Sequence, residues 1–218
     1  MISDIHGNLA ALLQVLEAIH TLRVDEIYCL GDIAGYYAEV NECCEVLRDR
    51  DVKCILGNHD WYLASGVPCP RSKSANDCLK YQHSVITPEN RRWLASLPLF
   101  RTYEQISMVH GGWTNPIDEY LVPTDEQLRA VPTAVGCSGH THKQGLVQRP
   151  EKTYCNPGSV GQPRDNDWRA AFAVFYDGLF ELHRTEYEVE RTCRAMHRAG
   201  FSEYYYMRLR TGSANFAA

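Results

Sequence analysis

Apolar residues in the first quarter of the chain switch between two kinds of spacing. Helical spacing joins the apolar positions between Asn8 and Leu22, which are Leu9, Leu12, Leu13, Leu16 and Ile19. Short continuous apolar runs follow at 26–30 and 52–56, and a second helical pattern covers 39–50. Continuous apolar strands that alternate with helices are typical of a parallel sheet covered on both faces, so the pattern predicts an α/β fold.

The rest of the chain is richer in strand patterns. Weak periodicity over 61–86 predicts a loop and then a helix at 76–85, and Thr87-Pro88 begins a helix that ends before Pro98. Short helices are expected from Thr124 and over 189–199. Strands are predicted at 99–103, 105–110, 133–138, 145–148 and 152–156, and a hairpin at 170–176 and 179–183.

The composition limits the classes of function. The 218 residues suit one domain that spans 1–218. The net charge of -5, from 22 Lys and Arg against 27 Asp and Glu, argues against binding to polymeric nucleic acid. A small phosphorylated substrate is compatible with this charge, because bound metal ions reverse the local sign.

Cysteine usage and hydropathy bear on the compartment. The nine cysteines are odd in number and no two are spaced C-x-x-C, which argues against a zinc ribbon or a thioredoxin-like motif. Cys29, Cys54 and Cys137 lie in apolar runs and are expected to be reduced core residues. With no signal peptide and no apolar run of membrane length, we expect a soluble, cytoplasmic protein without a membrane partner.

Five apolar runs end in metal-ligand residue types beside glycine. Any one of these segments alone is a common turn, but all five follow predicted strands. They are Ser3-Asp4-Ile5-His6-Gly7, Gly31-Asp32-Ile33-Ala34-Gly35, Gly57-Asn58-His59-Asp60, His110-Gly111-Gly112 and Gly139-His140-Thr141-His142. Because ligands of open α/β sheets bind at the carboxyl ends of strands, we expect the five loops to converge on one crevice.

This motif series resembles that of the calcineurin-like metallophosphoesterase superfamily, which reads D-x-H, G-D, G-N-H-[DE], H and G-H-x-H. The resemblance spans Asp4 to His142, and the segment 156–164 is similar to the small YfcE-like phosphodiesterase branch. It implies a β-sandwich of mixed sheets flanked by α-helices, in four layers α/β/β/α, a fold that some schemes class as α+β.

The resemblance also implies the cofactor and the roles of the motif residues. Two divalent ions would be bound, Mn most simply and Fe, Zn, Co or Ni as alternatives, since mixed nitrogen and oxygen ligands suit transition ions. A hydroxide that bridges the ions would attack phosphorus. The implied ligands are Asp4, His6 and His142 for one ion, Asn58, His110 and His140 for the other, and Asp32 as the bridge.

The two residues after Asn58 are the catalytic candidates. His59 resembles the family residue that protonates the leaving oxygen as a general acid. The alternative is that His59 only donates a hydrogen bond to a phosphate oxygen. Asp60 is expected either to orient His59 or to cap a helix.

Two further residues are candidates for substrate contact. Tyr36, together with Tyr37, would form an aromatic wall for a base or an aryl group, although core packing is the simpler explanation. Arg164 would bind a phosphate through two hydrogen bonds, but an ion pair with Asp165 or Asp167 is an equally good explanation.

These features favour a dinuclear-metal phosphoesterase that hydrolyses a small, nucleotide-like phosphodiester or phosphomonoester. One rival is a hydrolase of dinucleoside polyphosphates or of phosphoproteins, but the family's phosphoprotein phosphatases have G-D-x-x-D-R-G where this chain has Gly31-Asp-Ile-Ala-Gly35. Another is a non-catalytic scaffold, which would lack a ligand or the acid histidine. The run Tyr204-Tyr-Tyr206 either forms a homo-oligomer contact or packs on its own sheet.

The first motif has little chain before it. Only three residues precede Asp4, whereas strands typically have about five. A stub this short is expected to leave backbone groups of its neighbours unpaired and to hold Asp4 and His6 loosely. We therefore expect the native protein to begin upstream, with about four to eight further residues, mostly Val, Ile, Leu and Ala.

Overall fold

The computed structural model describes residues 1–214. Its helices are α1 (Leu9–Thr21), α2 (Val40–Asp49), α3 (Asn58–Ser65), α4 (Lys73–Val85), α5 (Pro88–Ala95), α6 (Asp125–Leu128) and α7 (Val189–Arg198). Its strands are β1 (Tyr28–Cys29), β2 (Lys53–Cys54), β3 (Phe100–Tyr103), β4 (Ile106–Val109), β5 (Val135–Ser138), β6 (Gly145–Gln148), β7 (Thr153–Asn156), β8 (Ala170–Tyr176) and β9 (Leu179–Thr185). Two 3₁₀ helices, Glu203–Tyr205 and Met207–Arg210, follow α7.

Polar side chains begin several helices where the sequence predicts them. The Asn8 side chain accepts a hydrogen bond from the Ala11 amide at the start of α1. Thr87 accepts from the Asn90 amide and precedes a proline at the first position of α5. These caps satisfy amides that have no partner within the helix, so the predicted starts of α1 and α5 are confirmed.

The first sheet layer includes the residues that precede the first motif. Strands β1 and β2 are parallel, and Ile2 forms a parallel bridge with Cys29. On the other side, Met1 and Ala173 exchange two backbone hydrogen bonds of 2.8 and 3.0 Å, which join β8 and its antiparallel partner β9 to this layer. Residues 1–3 therefore pair on both sides, and the expectation that their neighbours would be unpaired is wrong.

The second sheet has five strands in the order β3-β4-β5-β7-β6. Its centre is parallel, from β4 through β5 to β7, and both edge strands are antiparallel. An apolar cluster lies between the two layers, with members such as Leu30 and Ile55 near the first sheet and Met108 and Cys137 in the second. The two layers therefore form a β-sandwich of mixed strands.

Helical segments cover the outer faces of the sandwich. A large apolar cluster joins the first layer to α1, α2 and α7, including Leu12, Leu47 and Met196. A smaller one, with Leu128 of α6, packs on the side of Tyr154 in β7. This arrangement confirms the expected fold class of mixed sheets between helical layers.

Several boundaries differ from the prediction. The sequence predicts a loop from Trp61, but residues 61–65 are the second half of α3, whose weak apolar periodicity follows from the polar side chains at 58–60. Strands β1 and β2 have two residues each, since the chain bends into the motif loops directly after them. The run 204–206 lies in and beside a 3₁₀ helix, with Tyr206 buried in the first core and Tyr204 half exposed.

All nine cysteines are buried and free, which confirms the expected core placement of Cys29, Cys54 and Cys137. Burial raises the pKa of the Cys137 thiol well above its ordinary value. Within residues 1–214, no helix is long and apolar enough to cross a membrane.

Candidate metal centre

The five motif loops meet at one end of the sandwich. Two groups of buried side chains there each place their ligand atoms within 4.8 Å of one another: Asp4, His6, Asp32 and His142 in one, and Asp32, His110 and His140 in the other. Asn58 adjoins the second group, because its Oδ1 lies 3.0 Å from Nε2 of His110. Among the described residues, Asp32 is the member shared by both groups, so it is the candidate for a bridge between two ions.

The backbone of these loops is left-handed at five of the candidate ligands. The φ angles are 54° at Asp4, 54° at His6, 55° at Asp32, 65° at His140 and 59° at His142. Each such conformation in a non-glycine residue costs about 1–3 kcal/mol and persists only where the surroundings impose it. Their concentration at one place is typical of a functional site, and the sequence pattern gives no sign of it.

Backbone hydrogen bonds hold the first motif in this conformation. The amides of Asp4 and His6 donate to the carbonyls of Gly31 and Asp32, at 3.0 and 2.9 Å. The carbonyl of Asp4 accepts from the Gly161 amide and from the Ser159 hydroxyl. Asp4 and His6 are completely buried, so the expectation that a short stub holds them loosely is wrong.

Backbone carbonyls fix the imidazole rings. Nδ1 of each of three rings lies at hydrogen-bond distance from a carbonyl oxygen: Ala34 for His6 at 2.8 Å, Leu30 for His110 at 2.7 Å and Gln162 for His142 at 2.6 Å. A carbonyl can only accept, so in each ring the proton of the neutral form is on Nδ1. In the neutral form of each ring the Nε2 lone pair is thereby directed at the centre, which is the orientation that metal-bound histidines have.

Two of these lone pairs face each other. Nε2 of His6 and Nε2 of His142 are 3.0 Å apart, and neither carries a proton in the tautomer that its carbonyl selects. Burial lowers the pKa of both imidazoles well below the ordinary value, so protonation does not relieve the contact. A cation beside both nitrogens, with Asp4 Oδ1 at 3.5 Å from His142 Nε2, would relieve it.

The second group has buried polar atoms that lack hydrogen-bond partners, although charged groups lie within 4 Å of them. Oδ2 of Asp32 and Nε2 of His140 make no hydrogen bond within the described residues. Leaving such atoms without a hydrogen bond costs about 1–3 kcal/mol each. Their presence is therefore typical of a site that binds an ion or a small molecule. Neutral imidazole and carboxylate donors are the set that divalent transition ions bind, and the residues therefore fit a metal at both groups.

Charge is unevenly shared among the candidate ligands. Burial raises the pKa of Asp4 to about 7. Burial acts in the same direction on Asp32, but the nearby His110 and His59 outweigh it and hold the pKa of Asp32 well below its ordinary value. For His110, burial would lower the pKa, and the charge of Asp32 raises it to about 10, so a metal ion that binds Nε2 of His110 would replace a proton there.

His59 and Asp60 have different environments. The His59 amide donates to Oδ1 of Asp32 at 2.8 Å, and Nδ1 of its buried ring has no partner within the described residues. Asp60 accepts from the amides of Gly57 and Ala34 and thus caps α3. Of the two expected roles of Asp60, the contacts are those of the cap, because its oxygens bond backbone amides rather than the His59 ring.

A cleft of about 220 Å³ opens beside the two groups, with Tyr36, His59 and Arg164 in its wall. The Arg164 guanidinium lies 5.4 Å from the centre of the Tyr36 ring and donates twice to the Gln162 side chain. The aspartates considered as its partners pair elsewhere, Asp165 with Arg184 and Asp167 with Arg169. The ion-pair explanation for Arg164 is therefore wrong.

The cleft wall contains residues that the sequence did not single out. Tyr37, considered with Tyr36, is instead buried in the core and accepts from Gln162. Other wall residues are Arg71, Tyr120 and Arg208, which come from three separate segments. None of them stands in a motif, and only their shared position in the fold distinguishes them from other surface residues.

Comparison with known proteins agrees with this site. Residues 1–176 match the model of the calcineurin-like phosphoesterase superfamily domain. The chain belongs to that superfamily. Its phosphoesterases use a dinuclear metal site, for which the Asp and His side chains described above are the candidate ligands.

Relatives with high coverage carry little information on substrate. An uncharacterized protein of Methanocaldococcus jannaschii is 33% identical over 214 residues, with 88% of each chain covered. The crystal structure of a metallophosphoesterase from Sphaerobacter thermophilus is 31% identical and has a TM-score of 0.85, with 97% of each chain covered.

Other relatives are more distant. A symmetrical bis(5'-nucleosyl)-tetraphosphatase of Paracidovorax citrulli is 33% identical over 129 residues, which are 52% of this chain and 45% of the relative. The YfcE phosphoesterase of E. coli is 21% identical with a TM-score of 0.50, covering 82% of this chain and 88% of its own. The likeness to YfcE shows the shared fold.

Proposed function

We propose that the protein is a dinuclear-metal phosphoesterase that hydrolyses a small, nucleotide-like phosphodiester or phosphomonoester. The observation that carries the proposal is the pair of buried donor groups that share Asp32, at the floor of a cleft with cationic side chains in its wall. A phosphoryl group is the anion that such a combination attracts.

The donors divide into two sets of ligands. In the proposal, Asp32 would be a ligand shared by both ions, Asp4, His6 and His142 would hold one ion, and Asn58, His110 and His140 would hold the other. Bound divalent ions, Mn in the simplest case, would supply Lewis-acid polarisation of phosphoryl oxygens and activation of water.

His59 is proposed to hold the proton for the leaving oxygen. Its ring lies 4.9 Å from the His6 ring and 5.0 Å from the Tyr36 ring, centre to centre, in the wall of the cleft. Burial lowers the pKa of His59, whereas the carboxylate of Asp32 raises it. An anionic phosphoryl group in the cleft would also raise the pKa, so substrate binding would favour the protonated acid.

Leaving-group dependence tests this role. With Mn present, His59→Ala is expected to slow alkyl phosphoesters by about 100-fold or more and aryl esters far less, because only poor leaving groups need protonation. His197→Ala, an exposed position on α7, is the matched control and is expected to leave both rates unchanged. Equal losses on both ester classes would contradict the acid role and favour a hydrogen bond to a phosphate oxygen.

A dinucleoside polyphosphate hydrolase is the second candidate. The partial similarity to the Paracidovorax citrulli tetraphosphatase favours it, because that relative's name states this substrate class. Turnover of dinucleoside tetraphosphate, compared with that of a nucleotide monoester and of a cyclic nucleotide at equal Mn, separates the two candidates.

A further inference from the structure

The loop that follows the fourth motif carries an acidic residue, Asp118, that belongs to none of the five motifs. The loop folds back onto the glycines of the motif, and the Gly111 amide donates to the carbonyl of Pro116 at 2.8 Å. A Cβ on Gly111 would lie 2.9 Å from the amide nitrogen of Glu119 and 3.1 Å from that of Asp118. Glycine at this position therefore allows the close approach that brings residue 118 back beside the motif.

The side chain of Asp118 faces the second donor group. Its Oδ1 lies 3.9 Å from Nε2 of His140, and both atoms are buried and make no hydrogen bond within the described residues. The distance is too long for a direct hydrogen bond. Two atoms that bind the same transition ion, each at about 2.0–2.2 Å from it, lie at most about 4.4 Å apart. A cation beside both atoms would therefore satisfy them together.

Arg71 holds the other oxygen of Asp118. Nη2 of Arg71 lies 2.9 Å from Oδ2 of Asp118 and donates to the backbone carbonyl of the same residue, also at 2.9 Å. The guanidinium lies 5.1 Å from the centre of the Tyr120 ring, and the centre of that ring is 4.2 Å from the centre of the His140 ring. One carboxylate oxygen is thus fixed by an arginine from a distant segment, and the other is directed at His140.

The two donor groups differ in charge. The first contains two carboxylates, those of Asp4 and Asp32. Among the described residues, the second contains the shared Asp32 as its one carboxylate, next to imidazoles and the neutral amide of Asn58. An anion that faces the second group would strengthen the binding of a cation there, because opposite charges attract most strongly where water is excluded. Asp118 is a carboxylate in that position.

We propose that Asp118 is a further carboxylate of the metal centre, which faces the ion that His110 and His140 would hold and raises the affinity of the site for that ion. Arg71 would act through Asp118, as the residue that orients the carboxylate. Partners of this kind commonly tune metal affinity from outside the ligand set. The inference rests on the proposed function only in taking a divalent ion to bind at the second group, and it concerns the binding of that ion.

A purely structural role of the ion pair between Arg71 and Asp118 makes a different prediction. If the pair only ties the loop to the segment before α4, loss of either partner would loosen the loop and weaken metal binding alike. If Asp118 faces the ion, the charges of the two partners act on the ion in opposite directions. Loss of the carboxylate would then weaken binding, whereas loss of the guanidinium would not.

Calorimetric titration of the metal-free full-length protein with Mn alone tests the proposal. Asp118→Asn has the same shape without the charge and is expected to weaken the binding of one of the two Mn ions by about 10- to 100-fold. Arg71→Gln is expected to bind both ions at least as tightly as the wild type. Asp118→Glu keeps a carboxylate at a changed distance and is expected to fall between the wild type and Asp118→Asn.

Asp167→Asn is the matched control. Asp167 also pairs with an arginine, Arg169, at 2.7 Å, and the exposed fraction of its side chain is 30%, against 22% for Asp118. It does not line the cleft in the described part of the chain, so this variant is expected to bind both ions as the wild type does. A change of less than about threefold in both Mn affinities of Asp118→Asn would overturn the proposal. Equal weakening by Asp118→Asn and Arg71→Gln would overturn it as well.

Anomalous diffraction identifies the ion concerned. In crystals of Asp118→Asn grown at limiting Mn, the peak that contacts His110 and His140 is expected to lose occupancy relative to the peak that contacts His6 and His142. Loss of occupancy at the latter peak alone would overturn the proposal. Thermal unfolding identifies any variant that fails to fold. If Asp118→Asn fails, Asp118→Ser also removes the charge and decides the outcome by the same criteria.

The binding data are independent of turnover and so separate this inference from the proposed function. Weaker Mn binding by Asp118→Asn, with no hydrolysis of any phosphoester by the wild type, would contradict the proposed function alone. Hydrolysis by the wild type, with Mn binding unchanged in Asp118→Asn, would overturn the role of Asp118 alone. Absence of Mn binding by the wild type would contradict both.

Discussion

A methyl group at position 161 is predicted to displace the first motif. A Cβ added to Gly161 would lie 1.8 Å from the carbonyl oxygen of Ile5, which stands between Asp4 and His6. The contact is with backbone, so no side chain can rotate away, and relief requires a backbone shift of more than about 1 Å, to reach a normal van der Waals separation.

The cost of this shift follows from the bonds it strains. Overpacking of a filled core costs about 1–3 kcal/mol. The shift also stretches hydrogen bonds from the Val160 amide to Ser3 and from the Gly161 amide to Asp4, both 2.9 Å long, each contributing about 0.5–1.5 kcal/mol. We therefore expect Gly161→Ala to lower the free energy of unfolding by about 3–5 kcal/mol.

The displacement should also reach the metal centre. A misplacement of about 1 Å can cost about 100-fold in rate, so the activity of Gly161→Ala with Mn is expected to fall by about that factor. Metal content, measured by mass spectrometry after dialysis, is expected to fall, because the displaced segment contains the proposed ligands Asp4 and His6.

The control is Gly145→Ala, at the start of β6, where an added Cβ has no heavy atom within 4 Å. It is expected to change the free energy of unfolding by less than about 1 kcal/mol. Urea denaturation compares the two variants. The reasoning is refuted if Gly161→Ala unfolds within about 0.5 kcal/mol of the wild type and keeps its full metal content and activity.

Three further outcomes are expected. Glu119→Gln should destabilise the protein by about 1–2 kcal/mol, because Glu119 accepts from Thr114, Asn115 and Gln127; the estimate is kept low for a partly exposed carboxylate. Although burial opposes it, these bonds hold the pKa of Glu119 below its ordinary value of 4.5. The stabilisation is thus complete above that value and is lost as the pH falls through the lower folded-state pKa, so urea titrations of wild type and variant should converge in acid. Asn8→Ala should cost about 1–2 kcal/mol in the same assay, since Asn8 caps α1 and also bonds Gly161; equal stability would show that water replaces both contacts. Removal of metal by a chelator should lower the melting temperature, and added Mn should restore it. Bound metal stabilises the folded protein by about 2.7 kcal/mol when the free metal concentration is 100 times Kd. A melting temperature that does not depend on metal would argue against resident ions.

The convergence of the five motif loops could be predicted from the sequence, because each motif follows a strand-like apolar run and the carboxyl ends of parallel strands meet at one edge. Asp4 and His142 are far apart in the chain, yet this rule alone places them together. The helix starts at Asn8 and Thr87 were predictable for a similar reason, since capping is a local property of side chain and backbone.

The geometry within the loops was not predictable in this way. Left-handed backbone at Asp4 or His140 is imposed by hydrogen bonds from distant residues, so no local pattern indicates it. The partners of Asp60 are amides on two different loops, and the arginines of the cleft come from segments with no shared spacing. Such features depend on tertiary packing and need the structure.

The short first strand illustrates the same limit. The three residues before Asp4 predict a weakly held first motif, because strand length is the only measure of its support that the sequence offers. The structure shows that bonds to β1 on one side and to β8 on the other hold residues 1–3. Whether the native protein has further upstream residues stays a prediction, which an intact mass of the endogenous protein tests.

The most direct test of the dinuclear site is anomalous diffraction from crystals grown with Mn. The account predicts two peaks about 3.5–4 Å apart on either side of the Asp32 carboxylate. One peak should contact His6 and His142, and the other should contact His110 and His140. A single peak, or peaks that do not contact these histidines, would contradict the account.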